Sequence, residues 1–138
     1  MVAGPAADDI GLQSGGWTVS WQGTGNTNAD FPGGTSIYDG LQAQVEAAGG
    51  SIVSDINANV DAAIVVFSET PYAEMQGDIY SVTWFDQRGE RDLIQALSDR
   101  GVPVVAVFLT GRPMWVNDIL NDVDAFVVSW LPGSEGVG

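Results

Sequence analysis

Three carboxylates, Glu69, Glu74 and Asp78, fall within ten positions of one another, and Tyr72 lies between the first two. Such a cluster can bind a sugar, coordinate a hard cation, or divide the work of general acid and general base. The spacing does not match the EF-hand calcium loop, and the same composition also describes a solvated acidic loop. Arg112, flanked by Gly111 and Pro113, offers a second chemistry. It can clamp an anion or a hydroxyl, or tie neighbouring loops together through carbonyls or a carboxylate such as Glu135; the tying role is the one expected. Trp17 and Trp21 stand four apart in a glycine-rich stretch. That spacing puts them on one side of a helix and of an extended chain alike, so it leaves the local structure open. A tryptophan pair there is either core or a stacking platform for a pyranose ring. Trp84, Trp115 and Trp130 are assigned to packing.

These residues need a frame, and three apolar runs supply it: Ala62 to Phe67, Val102 to Leu109 and Ala125 to Trp130. Each is continuous rather than alternating, the pattern of a strand covered on both faces. Between the first two, within Arg88 to Arg100, Leu93, Ile94 and Leu97 form a helical stripe that Gly101 stops. Between the last two, Met114 to Leu120 predicts a short helix with Pro113 as its first residue. Upstream, Ser36 to Asp39 reads as a helix start; Ile37, Leu41 and Val45 repeat on one face, and Gly49-Gly50 ends the helix. Ser51 to Ser54 is expected to be a short strand, and Val2 to Pro5 the end of another.

This order predicts an α/β fold: a three-layer sandwich with a mainly parallel sheet flanked by helices, flavodoxin-like or Rossmann-like. Ligands then bind outside the carboxyl ends of the strands. Those ends lead into Ser68 to Asp78, Thr110 to Pro113 and Leu131 to Gly136. The stretch from Gly15 to Gly34 is long for a connection, as functional loops often are, and its two tryptophans argue against disorder.

Composition narrows the chemistry. The 138 residues and 45% hydrophobic content suit one globular domain. Neither cysteine nor histidine occurs, which removes disulfides, thiolate and histidine-assisted nucleophiles, and nearly every zinc or copper site. Acid and base chemistry falls to carboxylates. The net charge is −14, and the basic residues are Arg88, Arg91, Arg100 and Arg112 alone, so phosphate backbones and anionic membranes are repelled. No nucleic-acid or membrane partner is expected, and no cofactor or metal.

Five segments, in order, resemble the second, α/β-sandwich domain of glycoside hydrolase family 3. They are Ala3-Gly-Pro-Ala-Ala-Asp-Asp-Ile-Gly11, Ser14-Gly-Gly-Trp-Thr-Val-Ser-Trp-Gln-Gly23, Glu69-Thr-Pro-Tyr-Ala-Glu-Met-Gln-Gly-Asp78, Leu109-Thr-Gly-Arg-Pro113 and Ser129-Trp-Leu-Pro-Gly-Ser-Glu-Gly136. The paired tryptophans and the Pro-Tyr-x-Glu pattern are similar to those of exo-acting 1,3/1,4-β-glucanases and cellodextrin-type glucosidases.

The resemblance implies a retaining exo-hydrolase acting on β-glucans and cello-oligosaccharides, extracellular or periplasmic. An aspartate on a preceding (β/α)₈-type barrel is the nucleophile, and a glutamate of the sandwich is the acid/base. By position that glutamate is Glu74, and Trp21 stacks on the leaving sugar; Trp17 and Tyr72 are further substrate contacts, with Glu69, Asp78 and Arg112 in support. A retaining mechanism needs two carboxyl groups only ~5–5.5 Å apart. A barrel takes ~250 residues, more than the sequence holds. The chain is therefore expected to be one domain cut at both ends, inactive without its barrel. The alternative is a free-standing carbohydrate-binding module using the same loops. A flavodoxin-like signalling role lacks a phosphate loop and any lysine.

Overall fold

The computed structural model describes residues 1–85 and 89–136. Four strands form one sheet, all parallel: β1 (Val2–Ala3), β2 (Ala63–Ser68), β3 (Val104–Leu109) and β4 (Ala125–Trp130), hydrogen-bonded in that order. The helices are α1 (Ile10–Ser14), α2 (Ile37–Ala47), α3 (Glu90–Asp99) and α4 (Asn117–Leu120).

The period-two alternation of the strands divides the core between the two faces. On one face Val66, Val107 and Leu109 pack with Leu12 of α1 and Ile37, Tyr38 and Leu41 of α2. On the other, Val65, Phe67, Ala106 and Phe108 pack with Ile94 and Leu97 of α3 and Ile119 of α4. Phe67 anchors this second layer, its ring 4.9 Å from that of Trp84 and 5.0 Å from that of Phe108. The result is the expected three-layer α/β sandwich.

Local chemistry explains the helix limits. The Ser36 hydroxyl caps α2 by accepting the Asp39 N–H at 3.1 Å. α3 ends where Gly101 turns left-handed. Its start is Glu90; Arg88, where the sequence opens the segment, lies outside the described residues.

Three expectations are corrected. Ser51 to Ser54 forms no strand: Ile52 packs against the α2-side core, but β1 is only two residues long and offers too short an edge for a ladder. The short helix starts at Asn117 rather than at Pro113. Trp115 is held instead by residues 82–84, its N–H donating to Val82 O at 2.8 Å and its carbonyl accepting from Trp84 N at 3.0 Å. β4 is not covered on both faces but lies at the sheet edge, with Val127 and Val128 about two-fifths exposed.

Candidate functional site

Because the strands are parallel and β2 neighbours β3 in the register Ser68↔Leu109, residues 69 and 110 emerge side by side at the carboxyl edge. Glu69 uses that neighbourhood fully. Its Oε1 accepts the Thr110 hydroxyl at 2.8 Å and the Gly111 N–H at 2.9 Å, and its Oε2 accepts Arg112 Nε at 3.1 Å. The Glu69 and Arg112 side chains are only 11% and 18% exposed. Arg112 also donates to the Gly77 carbonyl and lies with Cζ 3.7 Å from the centre of the Tyr72 ring, a cation–π contact. Arg112 thus does tie loops together, but its carboxylate is Glu69 rather than Glu135. Burial, followed by the Glu69 charge, pushes the Tyr72 hydroxyl above its usual range.

Glu74 is the opposite case. It is exposed, its carboxylate has no hydrogen bond or ion pair among the described residues, and it opens a 3-10 turn (Glu74–Gly77) with φ 48°. A glutamate in the left-handed region is uncommon, and such outliers gather at functional sites. Asp78 follows that turn, also exposed.

Trp17 and Trp21 sit on a closed loop rather than a helix. The Trp17 N–H donates to the Trp21 carbonyl at 2.9 Å, and a side chain on Gly23 would strike the carbonyl of Gly15 at 2.3 Å. The indole rings lie 5.9 Å apart at 45°, 68% and 49% exposed, so the pair lies on the surface and not in the core. Trp17 shares the left-handed backbone, at φ 56°. Of the tryptophans assigned to packing, Trp84 is buried, whereas Trp115 and Trp130 are 44% and 51% exposed. Trp115 is drawn out by its backbone bridge to Thr83, and Trp130 by its place on the edge strand.

Two contacts bind the tryptophan loop to the carboxylate loop. A Cβ on Gly16 would lie 2.2 Å from the Tyr72 carbonyl oxygen, so the two backbones touch there and only glycine fits. Gln22 Oε1 accepts the Ala73 N–H at 2.7 Å. Gln22 is a site residue that sequence reasoning misses; its place directly after Trp21 is the one signal for it. A groove of about 480 Å³ opens beside Tyr72, Asp78 and Arg112, but Glu74, Trp17 and Trp21 stand outside it on open surface. A sugar held at Glu74 therefore needs walls beyond the ones these loops supply.

The chain belongs to the glycosyl hydrolase family 3 C-terminal domain, whose family model matches residues 1–138. It is 34% identical to a lysosomal beta glucosidase of Dictyostelium discoideum, over 99% of this chain and 19% of that protein. The crystal structure of an exo-1,3/1,4-beta-glucanase from a Pseudoalteromonas species superposes with a TM-score of 0.91 at 52% identity, over 99% of this chain and 18% of that one. A beta-glucosidase from Listeria innocua, 20% identical, shares the fold with a TM-score of 0.73 over 99% of this chain and 19% of that one. The chain spans about a fifth of the length of these relatives.

Proposed function

We propose that this chain serves as the sandwich domain of a retaining, exo-acting β-glucosidase or exo-1,3/1,4-β-glucanase. In this reading Glu74 is the acid/base, and Trp21, aided by Trp17, is the wall against which the leaving sugar stacks. The observation that carries the reading is the division of labour between two glutamates five residues apart. Glu69 has both carboxylate oxygens engaged, whereas Glu74 presents its carboxylate to solvent from a left-handed backbone. The 52% identity to an exo-1,3/1,4-beta-glucanase supports β-glucan or cello-oligosaccharide as substrate.

The chemistry needs a partner. In a retaining reaction one carboxylate attacks the anomeric carbon while the other protonates the departing oxygen, then deprotonates water in the second step. Glu74 cannot do both. The nucleophile and the remaining sugar pocket are assigned to a (β/α)₈ barrel in the same polypeptide, so the 138 residues alone would be inactive. An acidic chain with no lysine fits an extracellular or periplasmic setting.

The test is leaving-group chemistry in the barrel-containing enzyme. Glu74→Ala should slow substrates with poor leaving groups by about 10²–10⁴-fold, the usual worth of a general acid, and spare activated aryl glucosides in the first step. The glycosyl-enzyme should then accumulate, and azide, which needs no deprotonation, should restore turnover as the β-glycosyl azide. Equal losses on both substrate types, with no azide product, would make Glu74 a structural carboxylate.

A further inference from the structure

Gln22 is the side chain that joins the two halves of the site. Its Oε1 accepts the Ala73 N–H at 2.7 Å, across 51 residues of sequence. Ala73 is extended, at φ −138° and ψ 147°, and the next residue, Glu74, turns left-handed at φ 48°. Held by Gln22, the Ala73 N–H therefore fixes the orientation of the backbone at the point where the extended chain enters the turn that carries Glu74. At its other end Gln22 is bonded covalently to Trp21. Gly16, packed on the Tyr72 carbonyl, makes a second contact between the same loops, so the tryptophan loop can neither slide along nor rotate about residues 72–73 without breaking one of them.

We propose that Gln22 is a positioning residue for the glycosidase reaction, holding the Glu74 carboxyl in register with the Trp17–Trp21 platform through the Ala73 amide. This rests on the acid/base reading of Glu74. Gln22 touches no substrate in this role. It acts on two properties together: proton delivery, through Glu74, and leaving-sugar binding, through Trp21. A side chain that only stabilised the fold would lower all substrates alike.

The experiment compares Gln22→Ala with Gln22→Glu in the barrel-containing enzyme. The glutamate keeps an oxygen acceptor at the same reach, and an ionised carboxylate accepts from a backbone N–H at least as well. Two measurements are made on each: amide hydrogen exchange at Ala73, with the amides of β2 and β3 as the control for folding, and kcat/KM on a poor-leaving-group oligosaccharide against an activated aryl glucoside. Gln22→Ala should expose the Ala73 amide, leave the strand amides protected, and lower the oligosaccharide rate about tenfold more than the aryl glucoside rate. Gln22→Glu should restore both. Unchanged exchange at Ala73, equal losses on the two substrates, or failure of Gln22→Glu to rescue would each overturn the proposal. If Glu74→Gln itself shows no dependence on the leaving group, the acid/base reading falls and takes the catalytic part of this inference with it. The Ala73 exchange would still show whether the contact holds in solution, so the two failures are told apart.

Discussion

Glu69 and Arg112 meet at 3.1 Å across two neighbouring strand ends, and both oxygens of the carboxylate face donors of the 110–112 loop. An ion pair this withdrawn from water is costly to break from one side, because the surviving charge is left without its partner. The pair also shapes the loop: Glu69 is committed to Arg112, whereas Glu74 is exposed to solvent.

Glu69→Ala should therefore destabilise the fold by about 3 kcal/mol, the lower end of the range for breaking a buried pair, since both side chains keep slight exposure. Glu74→Ala, on exposed surface, should shift stability by less than about 0.5 kcal/mol. Urea unfolding midpoints of the two variants check the contrast. Comparable midpoints would mean that the Glu69 pair is replaced by water at no loss.

The Tyr72 hydroxyl holds its proton more tightly in the folded protein than the ordinary value of 10.0, first through burial and then through the Glu69 charge. Its contribution to stability is complete below that ordinary value and is lost as pH rises through the raised folded value. Wild-type protein should thus lose stability in this alkaline window, and Tyr72→Phe, which keeps the ring under Arg112, should flatten the loss. Unfolding midpoints measured at stepped pH above neutrality check it; parallel curves for the two proteins would show that Tyr72 does not carry the effect.

What could be read from the sequence depended on whether the signal was local. β2 and β3 announce themselves through continuous apolar runs rich in valine, and α2 through Ser36 and its apolar face, because those choices are made within a few residues. Partner choice is not local. Arg112 could reach Glu135 or Glu69 on sequence grounds, and only the adjacency of β2 and β3 brings 69 beside 110. Pro113 marks a helix start for Met114 to Leu120, yet residues 82–84 claim the backbone of Trp115 from far upstream in the chain. The apolar run of β4 likewise gives no sign that it lies at the sheet edge. Within the site, residue types and loop locations were legible. The left-handed backbone of Glu74 and the Gln22 contact were not, since each depends on how two distant loops meet.

Trp21, about half exposed, should tolerate truncation structurally. Trp21→Ala is expected to cost under about 1 kcal/mol of fold stability, while weakening oligosaccharide substrates by an aromatic contact of ~0.5–1.5 kcal/mol plus its buried area. Aryl glucosides with small leaving groups should be less affected, since the stacked sugar is the part that departs. Steady-state kinetics on both substrate types, in the barrel-containing enzyme, separate these effects. An unfolded variant, or equal losses, would make Trp21 a packing residue.

The backbone of Glu74 carries its own consequence for stability. At φ 48° an L-residue crowds its Cβ against the following carbonyl, at a cost of roughly 1–2 kcal/mol that glycine avoids. Glycine gives part of this back through the greater freedom of its unfolded chain, by roughly 0.5–1 kcal/mol. Because Glu74 is exposed and its carboxylate has no hydrogen bond or ion pair among the described residues, removing the side chain sacrifices little else. Glu74→Gly should then be at least as stable as wild type and more stable than Glu74→Ala, which keeps the crowding and loses the carboxyl. Thermal or urea unfolding of the three proteins orders them directly. In the barrel-containing enzyme both variants should lose proton donation equally, so for Glu74→Gly stability and activity would move in opposite directions at one residue. That pattern is expected where a strained backbone is kept for the placement of a reacting group. If Glu74→Gly is less stable than Glu74→Ala, the crowding at φ 48° costs less than the freedom glycine adds to the unfolded chain, and the strain argument fails.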